Sequence, residues 1–221
     1  MACVGLGVKN GRYCLGWDMP RVTDRYVQRR RGEILAAARR RFARDGFHAT
    51  TMEDVTVEAG ISSSVIYRWF SGKDELVAVC ISEALQGVLE VLEEALRIEP
   101  PVSVTEAMRR IIAAAFAQTS DDGEELAAIV VQAWAEAMRD PAVKDLLGTL
   151  YTRIRDGLAE LVGRHQAAGT MSPDLDPQAV ARQLFALFPG FIVQHLVVGP
   201  EDLDAYAAAG EQLLSSSRDL T

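Results

Sequence analysis

A short run of hydroxyl side chains followed by a guanidinium is the most distinctive chemistry in the chain. The residues are Ser62, Ser63, Ser64, Val65 and Arg68. Short hydroxyls, a compact apolar group and a forked guanidinium can hydrogen-bond or pack against base edges in the major groove of duplex DNA. On one outward helix face, these side chains would form a sequence-reading surface.

Three flanking residues suit phosphates better than base edges. Thr51 stands at a predicted helix N-terminus, where its hydroxyl and backbone N–H can approach a phosphate. Tyr67 and Lys73 can do the same from the other flank. Phosphate contacts carry no base identity. These residues therefore predict binding to duplex DNA, with positioning and reading assigned to different side chains.

Two short helices joined by a tight turn would position these groups. Thr51-x-x-Asp54 is a capping-box signature, and Gly60 can take positive φ in the turn that follows. Ser62 is the predicted cap of the second helix. Side chains suited to pack these helices on each other and on a preceding helix are Val55, Ala59, Ile61, Ile66 and Phe70. This is the plan of a helix-turn-helix, although an ordinary helical hairpin with satisfied caps remains an alternative.

Residues 24–76 resemble the amino-terminal domain of the TetR family of regulators. The residues that carry the resemblance are Ile34, Ala37, Ala38, Phe42, Gly46, Thr51, Val55, Ala59, Gly60, Ile61, Ser62, Ile66, Tyr67, Phe70, Lys73 and Leu76. Their order and spacing are much more specific than a lone capping box. The resemblance implies a recognition helix at residues 63–69 and phosphate contacts from Thr51, Tyr67 and Lys73.

Two residues depart from the family pattern. Thr56 stands where the family usually has Ala, and Ser64 stands where Gly is frequent. Thr56 could hydrogen-bond to the carbonyl of Met52. Because Ser64 could read a base itself, the operator sequence is not fixed by the resemblance.

Charge is divided unequally along the chain, whose net charge is −8. Residues 20–74 contain 11 Lys and Arg against 7 Asp and Glu, whereas residues 75–221 contain 10 against 23. A basic amino-terminal part on an acidic body fits polyanion binding at one end only. An Arg-rich amphipathic anchor for a membrane or protein is the competing interpretation, but the apolar face opposite the arginines is small.

Several other classes of protein are disfavoured. The chain has 3 Cys, at positions 3, 14 and 80, too few and too scattered for a disulfide framework, which favours a reducing cytoplasm. No catalytic, phosphate-loop, dinucleotide or metal-ligand motif is found, so neither an enzyme nor a cofactor or metal is expected. No apolar run is expected to approach the ~20 residues that span a bilayer.

The periodicity after residue 24 predicts an all-α fold of two parts. Residues 1–18, rich in glycine and without periodicity, are predicted to be a poorly structured extension. Residues 19–76 form the predicted helix-turn-helix domain, and residues 77–221 a larger helical ligand-binding and dimerisation domain. The predicted stripe on one long helix comprises Val143, Leu147, Leu150, Ile154, Leu158 and Leu161.

The two closing helices are predicted to pair with a second copy as a four-helix bundle, as TetR-like proteins usually do. The residues assigned to this interface are Leu184, Leu187, Phe191, Leu203, Ala207, Gly210 and Leu214. Pro189 is expected to kink the first of these helices. Alternatively, both helices merely complete a monomer core.

An aromatic and Met-containing set could line a ligand cavity between helices, or could equally be plain core. It comprises Leu89, Phe116, Trp134, Met138, Tyr151, Phe185 and Phe188, and the candidate polar anchors are Gln132, Gln194 and His195. Together these features predict a homodimer that binds a palindromic operator and responds to an apolar small molecule. The resemblance to the TetR family implies that it represses transcription and that the small molecule releases it from DNA.

Overall fold

The computed structural model describes residues 24–116 and 124–216, with side chains described except at positions 24, 25, 211 and 213–216. Within these ranges the regular structure is helical and contains no strand, which confirms the all-α prediction. In chain order the helices are α1 (Asp24–Asp45), α2 (Met52–Glu58), α3 (Ser63–Ile66), α4 (Lys73–Arg97), α5 (Val104–Phe116), α6 (Glu125–Ala137), α7 (Pro141–Ala167), α8 (Pro177–Val193) and α9 (Leu203–Ser216). The predicted extension at residues 1–18 lies outside the described residues.

The amino-terminal module, residues 24–76, is built from local signals. The chain leaves α1 at Gly46, whose φ of 85° is easily reached without a Cβ. The turn between α2 and α3 likewise uses Gly60, with φ of 62°. Val55, Ile66 and Phe70 are buried against α1, as their apolar spacing predicts.

The body, residues 77–216, packs around α4 and α7. The predicted stripe on α7 is buried along its whole length. This helix starts at Asp140, whose carboxylate accepts from the N–H groups of Ala142 and Val143, with Pro141 at the first helical position. The long helix α4 begins inside the module and continues into the body, so it joins the two parts covalently.

One local prediction needs correction. The hydroxyl of Thr56 donates to the carbonyl of Glu53, 2.7 Å away, instead of that of Met52. At the start of α4, the N–H and the hydroxyl of Ser71 both donate to the carboxylate of Glu75. A π-helical turn at Gln194–Val198 extends α8, and α9 starts at Leu203.

Candidate nucleic-acid interface

The predicted reading surface is exposed on one side of the module. Ser62, Ser63, Ser64 and Arg68 are exposed, as is Tyr67, whereas Val65 is half-buried. Only one turn of α3 is α-helical, and residues 67–70 continue it through hydrogen bonds to Ser63, Val65 and Ile66. Ile66 and Phe70 anchor this turn in the core. The buried side chains therefore fix the backbone of this turn, while the hydroxyls and the guanidinium stay exposed to solvent.

Arg68 differs from the arginines of α1 in its ion pairing. Among the described residues no carboxylate pairs with its guanidinium, whereas most arginines of α1 are paired. Those ion pairs join Arg29 and Arg30 to Glu33, Arg31 and Arg39 to Glu83, Arg40 and Arg41 to Glu58, and Arg41 and Arg44 to Asp45. The number of arginines on α1 therefore overstates the positive charge available to DNA from that helix.

Thr51 caps α2 with a complete capping box. Its hydroxyl accepts from the N–H of Asp54 at 3.1 Å, and its own N–H donates to the Asp54 carboxylate at 2.8 Å. The hydroxyl of Thr51 and then its N–H hold the pKa of Asp54 below its usual value by donating to the carboxylate. A phosphate at Thr51 must therefore compete with the carboxylate of Asp54, a feature that the capping signature alone does not reveal.

Lys73 and Tyr67 are the other two predicted phosphate contacts. The Lys73 ammonium lies 3.4 Å from the carbonyl oxygen of His48, and the residue is half-buried. The Tyr67 ring is exposed, and its hydroxyl has no hydrogen-bond partner among the described residues. The contacts of both residues to phosphate stay a prediction.

Part of the predicted ligand-lining set forms a packed aromatic cluster in the body. The Trp134 indole N–H donates to the Tyr151 hydroxyl. Tyr151 in turn packs on Phe185, with ring centroids 4.9 Å apart. Burial raises the pKa of Tyr151 to about 12. Phe188 and Leu89 are buried core residues. The cluster fits the alternative interpretation, plain core, because its members contact one another directly.

Other members of that set lie elsewhere. Met138 is 86% exposed because it follows the last residue of α6, so it lines no enclosed site. Phe116 packs on Phe191 and His195 instead of the cluster. Gln132 does not point into a ligand cavity, since its amide hydrogen-bonds to backbone atoms at the end of α1.

A cavity of about 210 Å³ lies between α5, α8 and α9. Residues around it include Met108, Ile112, Leu184, Leu187, Tyr206 and Gly210. It exists because α9 presents small residues, Ala207 and Gly210, towards α5. Sequence periodicity could not find it, because a cavity depends on what small side chains leave unfilled between helices.

The closing helices expose a different surface from the one predicted. Leu184 and Phe191 are only 3% and 2% exposed within the protomer, so they belong to its own core. Ala207 and Gly210 face the cavity, Leu203 packs on the core, and the side chain of Leu214 lies outside the described residues. Of the predicted set, Leu187 is the residue that keeps substantial exposure.

We define the α8–α9 face by the small and apolar residues along the exposed side of these two helices. On α8 and its π-helical turn they are Ala186, Leu187, Val193 and Val197, with the half-buried Gly190 between them, and on α9 they are Ala205, Ala208 and Ala209. Val193 and Val197 are 43% and 76% exposed. Spacings of three and four residues put them on one stripe of each helix.

Among the described residues, one helical segment, Pro177–Val198, is long and apolar enough to cross a membrane, and 28% of its most apolar window is buried. The expectation that no apolar run approaches that length is therefore wrong. Length and composition alone are weak grounds for a membrane span, because core helices of soluble proteins meet the same criteria. The segment carries the α8 side of the α8–α9 face.

Comparison with known proteins covers both parts of the chain. Residues 34–80 match the family model for bacterial regulatory proteins of the tetR family. Residues 104–217 match the model for the carboxyl-terminal part of BetI-type transcriptional repressors. The first match contains the capping box, the turn and the candidate reading surface, and the second contains the cavity and the α8–α9 face.

Individual proteins are also similar to this chain over most of its length. The transcriptional regulator UidR of Escherichia coli strain K12 is 28% identical over 188 residues, which are 85% of this chain and 90% of UidR. The nicotine-responsive repressor HdnoR of Paenarthrobacter nicotinovorans is 26% identical over 167 residues, 75% of this chain and 83% of HdnoR. Among solved structures, Salmonella enterica GusR superposes with a TM-score of 0.73 at 26% identity, covering 88% of this chain and 97% of GusR.

Proposed function

The chain belongs to the TetR family of bacterial regulatory proteins and is a DNA-binding regulator of transcription. From this premise we propose that it is a homodimeric repressor that binds a palindromic operator and leaves it when a small molecule binds to the body. We propose a cytoplasmic location, since bacterial operator DNA lies there. The observation that carries DNA reading is the exposed hydroxyl run beside the guanidinium of Arg68, which has no ion-pair partner in the part of the chain that the structure describes.

The proposed role of each residue follows from the chemistry of its side chain. Ser63, Ser64 and Arg68 read base edges in a major groove, because hydroxyls and a guanidinium match donor and acceptor patterns there. Thr51, Tyr67 and Lys73 hold the phosphates on either side. Ser62 lies at the start of α3, where its hydroxyl, 3.0 Å from that of Ser64, helps to orient the reading residues.

Selection from random-sequence duplexes tests this function. The purified protein should enrich a palindrome and bind it at least a thousandfold more tightly than random DNA, roughly the lower bound for specific regulators. Anionic lipid vesicles at the same salt concentration are the control for the competing membrane interpretation. Enrichment of no sequence, or equal binding to vesicles and duplex, would refute the proposal.

The homodimer is proposed to form through the α8–α9 face. Alanine, glycine and valine at spacings of three and four allow helices to approach closely, as in a four-helix bundle. A second copy would remove the exposed valines of α8 from water, and it also explains why a segment as apolar as Pro177–Val198 is only partly buried in one protomer. Two modules then reach two half-sites of one operator.

The effector site is proposed to be the cavity between α5, α8 and α9. A dry apolar cavity of about 150 Å³ can hold benzene, so this larger cavity suits a small apolar effector. Arg109 at its edge is already paired with Glu106 and lies 3.7 Å from Asp204, which disfavours an anionic ligand. The relative HdnoR is named for its response to a small molecule.

Benzene is a suitable probe because the natural effector is unidentified. It should raise the melting temperature of the wild-type protein, and Ala207→Phe should abolish that shift by filling the cavity. Trp134→Ala is the matched comparison, because it opens the aromatic cluster instead. If Ala207→Phe retains the shift and Trp134→Ala loses it, the effector site is the aromatic cluster and the proposal for the cavity is wrong.

A further inference from the structure

The carboxyl-terminal end of α1 is completed by a side chain from a different part of the molecule. Gln132 of α6 donates through Nε2 to the carbonyl of Phe42 at 2.8 Å and to that of Ala43 at 3.5 Å. Its Oε1 accepts from the N–H of Phe47 at 3.1 Å. Helix ends leave backbone groups without intrahelical partners. One amide on α6 therefore serves both sides of the bend at Gly46.

A second contact lies one helical turn further along α6. Nε2 of His48 is 2.9 Å from Oε2 of Glu136. Residues four apart share a helix face, so Gln132 and Glu136 present one face of α6 to the segment that follows α1. A cavity of about 170 Å³ lies beside this pair, and Lys73, Asp74 and Asp140 line it together with Val77 and Val143. The polar contacts of Gln132 and Glu136 thus lie between this cavity and the buried apolar side chains of α1 and α6, and they add directional bonds to that packing.

The other side of α1 is attached to α4 by different chemistry. Arg31 and Arg39 donate to the two carboxylate oxygens of Glu83, at 3.2 Å and 2.8 Å. The module thus has an ionic connection to α4 near the middle of α1 and a connection to α6 at its end. Because α4 and α6 are separate helices of the body, any relative movement between them must reorient the module or break one connection.

Resting on the proposed function, we propose that Gln132 is a positioning residue for operator binding. It fixes the orientation of the module relative to α6, and through α6 it transmits displacements of the body to the recognition helix. A neutral amide suits this role, because three directional hydrogen bonds define an orientation. A single ion pair between long side chains defines an orientation poorly. Gln132 touches no DNA, so it acts through α1 and α3.

Operator binding provides a measurement that would not change if Gln132 only stabilised the fold. A dimer binds a palindrome through both modules, but a duplex with a single half-site through one. The gain in affinity from the second module depends on the orientation of that module, and it is lost when geometry forbids simultaneous contact with both half-sites. Gln132→Met keeps the volume of the side chain and removes its hydrogen bonds. Gln86→Met is the matched control, since the Gln86 side chain is exposed and bonds only within α4, to Glu90.

Affinities for a selected palindrome and for its isolated half-site are measured for each variant by fluorescence anisotropy. We expect Gln132→Met to weaken palindrome binding about tenfold, as when the competent orientation falls to roughly a tenth of the population. Half-site binding should be unchanged, and Gln86→Met should match wild type for both duplexes. Equal losses on the two duplexes, or no loss on either, overturn the proposal. Failure of the wild-type protein itself to prefer the palindrome would instead refute the proposed function.

A second variant and a second measurement keep the test decisive if Gln132→Met does not fold. Gln132→Glu keeps the acceptor for the N–H of Phe47 but sets a carboxylate oxygen against the carbonyl of Phe42, at the negative end of the helix dipole, so it should show a loss of the same kind that is at least as large. Nitroxide labels at Val57→Cys, with Cys3 and Cys14 replaced by Ser, report the distance between the modules of a dimer. Cys80 can stay because it is buried, and burial raises the pKa of its thiol to about 12. The distance distribution should broaden in the Gln132 variants, and an unchanged distribution overturns the proposal.

Discussion

The reading surface at residues 62–68 and the α8–α9 face are both exposed in the protomer, yet their chemistry is opposite. The first carries hydroxyls and a guanidinium without an ion-pair partner among the described residues, supported from below by Ile66 and Phe70. The second carries alanine, glycine, valine and leucine. The exposure of a surface therefore shows only that the surface is available to a partner. The kind of exposed group indicates whether that partner is a polyanion or an apolar copy of the same helices.

The two surfaces should also respond differently to solution conditions. Contacts with phosphates release counterions, so binding at the reading surface weakens steeply with salt. Burial of apolar surface gives a negative heat-capacity change and depends little on ionic strength. Substitutions on one surface should therefore change one set of properties and leave the other intact. The predictions below test that separation.

The largest effect is expected for Val193→Asp, in the middle of the α8–α9 face. Burying an unpaired carboxylate in each half of the interface should weaken dimerisation by about 3–5 kcal/mol, more than a hundredfold. Operator affinity should fall with it, because one module alone would remain. Sedimentation velocity measures the dissociation. Leu175→Asp, at an exposed apolar residue outside this face, is the control. A Val193→Asp protein that sediments as wild type would place the interface elsewhere.

A smaller, sequence-dependent effect is expected for Arg68→Ala. Loss of a guanidinium that forks onto a guanine should cost ~1–3 kcal/mol on the selected operator and much less on random DNA. Dimerisation should not change, because Arg68 lies on the other surface. Arg153→Ala, which removes an exposed arginine of the body, is the control. An equal loss on both kinds of DNA would identify Arg68 as a backbone contact.

Lys73→Ala should weaken binding to every DNA sequence alike. Removing one phosphate contact should reduce the slope of log affinity against log salt by roughly one. Tyr67→Phe should also be independent of sequence but leave the slope unchanged, since it removes no charge. Titrations at several salt concentrations with operator and random DNA provide the measurement. A changed operator preference with an intact slope would contradict the phosphate role of Lys73.

The smallest effect is expected at Glu106, which belongs to neither surface. Arg109 and then Arg110, hydrogen-bonded to its carboxylate, lower the pKa of Glu106 to about 2. Because the folded pKa lies below the unfolded value of about 4.3, this carboxylate stabilises the fold above that pH, and the contribution disappears as pH falls towards 2. Urea unfolding from pH 2 to 7 should show Glu106→Gln less stable at pH 7, with the difference vanishing at low pH. A difference that is constant with pH would refute the assignment.

Local signals explain why the module could be predicted in detail. The start of α2 depends on Thr51 and Asp54, and the ends of α1 and α2 depend on Gly46 and Gly60, all within a few residues of the feature they specify. In the body, periodicity correctly predicted the buried stripe of α7. It could not assign the sides of α8, because two apolar stripes look alike in sequence. Packing on α5 and α7 decides which stripe is buried.

The remaining incorrect predictions concern side chains whose role depends on residues far away in sequence. Met138 has the spacing of a pocket residue relative to Trp134, but α6 ends before it and leaves it in solvent. The sequence predicts Gln132 as a polar anchor of a ligand cavity, but its side chain accepts a hydrogen bond from the N–H of Phe47, 85 positions away in sequence. No local pattern announces such a contact. The cavity beside Ala207 and Gly210 is likewise a property of three helices together.

The single α-helical turn of α3 bears on how this regulator can change over evolutionary time. Its backbone is held by the buried Ile66 and Phe70, while its outward side chains contribute little to the core. Substitutions at Ser63, Ser64 or Arg68 can therefore accumulate with little loss of folding stability. Gene duplicates could acquire new operators through a few such changes and keep the same scaffold. Target choice can thus change at little cost to folding, because the residues that read DNA are separate from those that hold the turn in place.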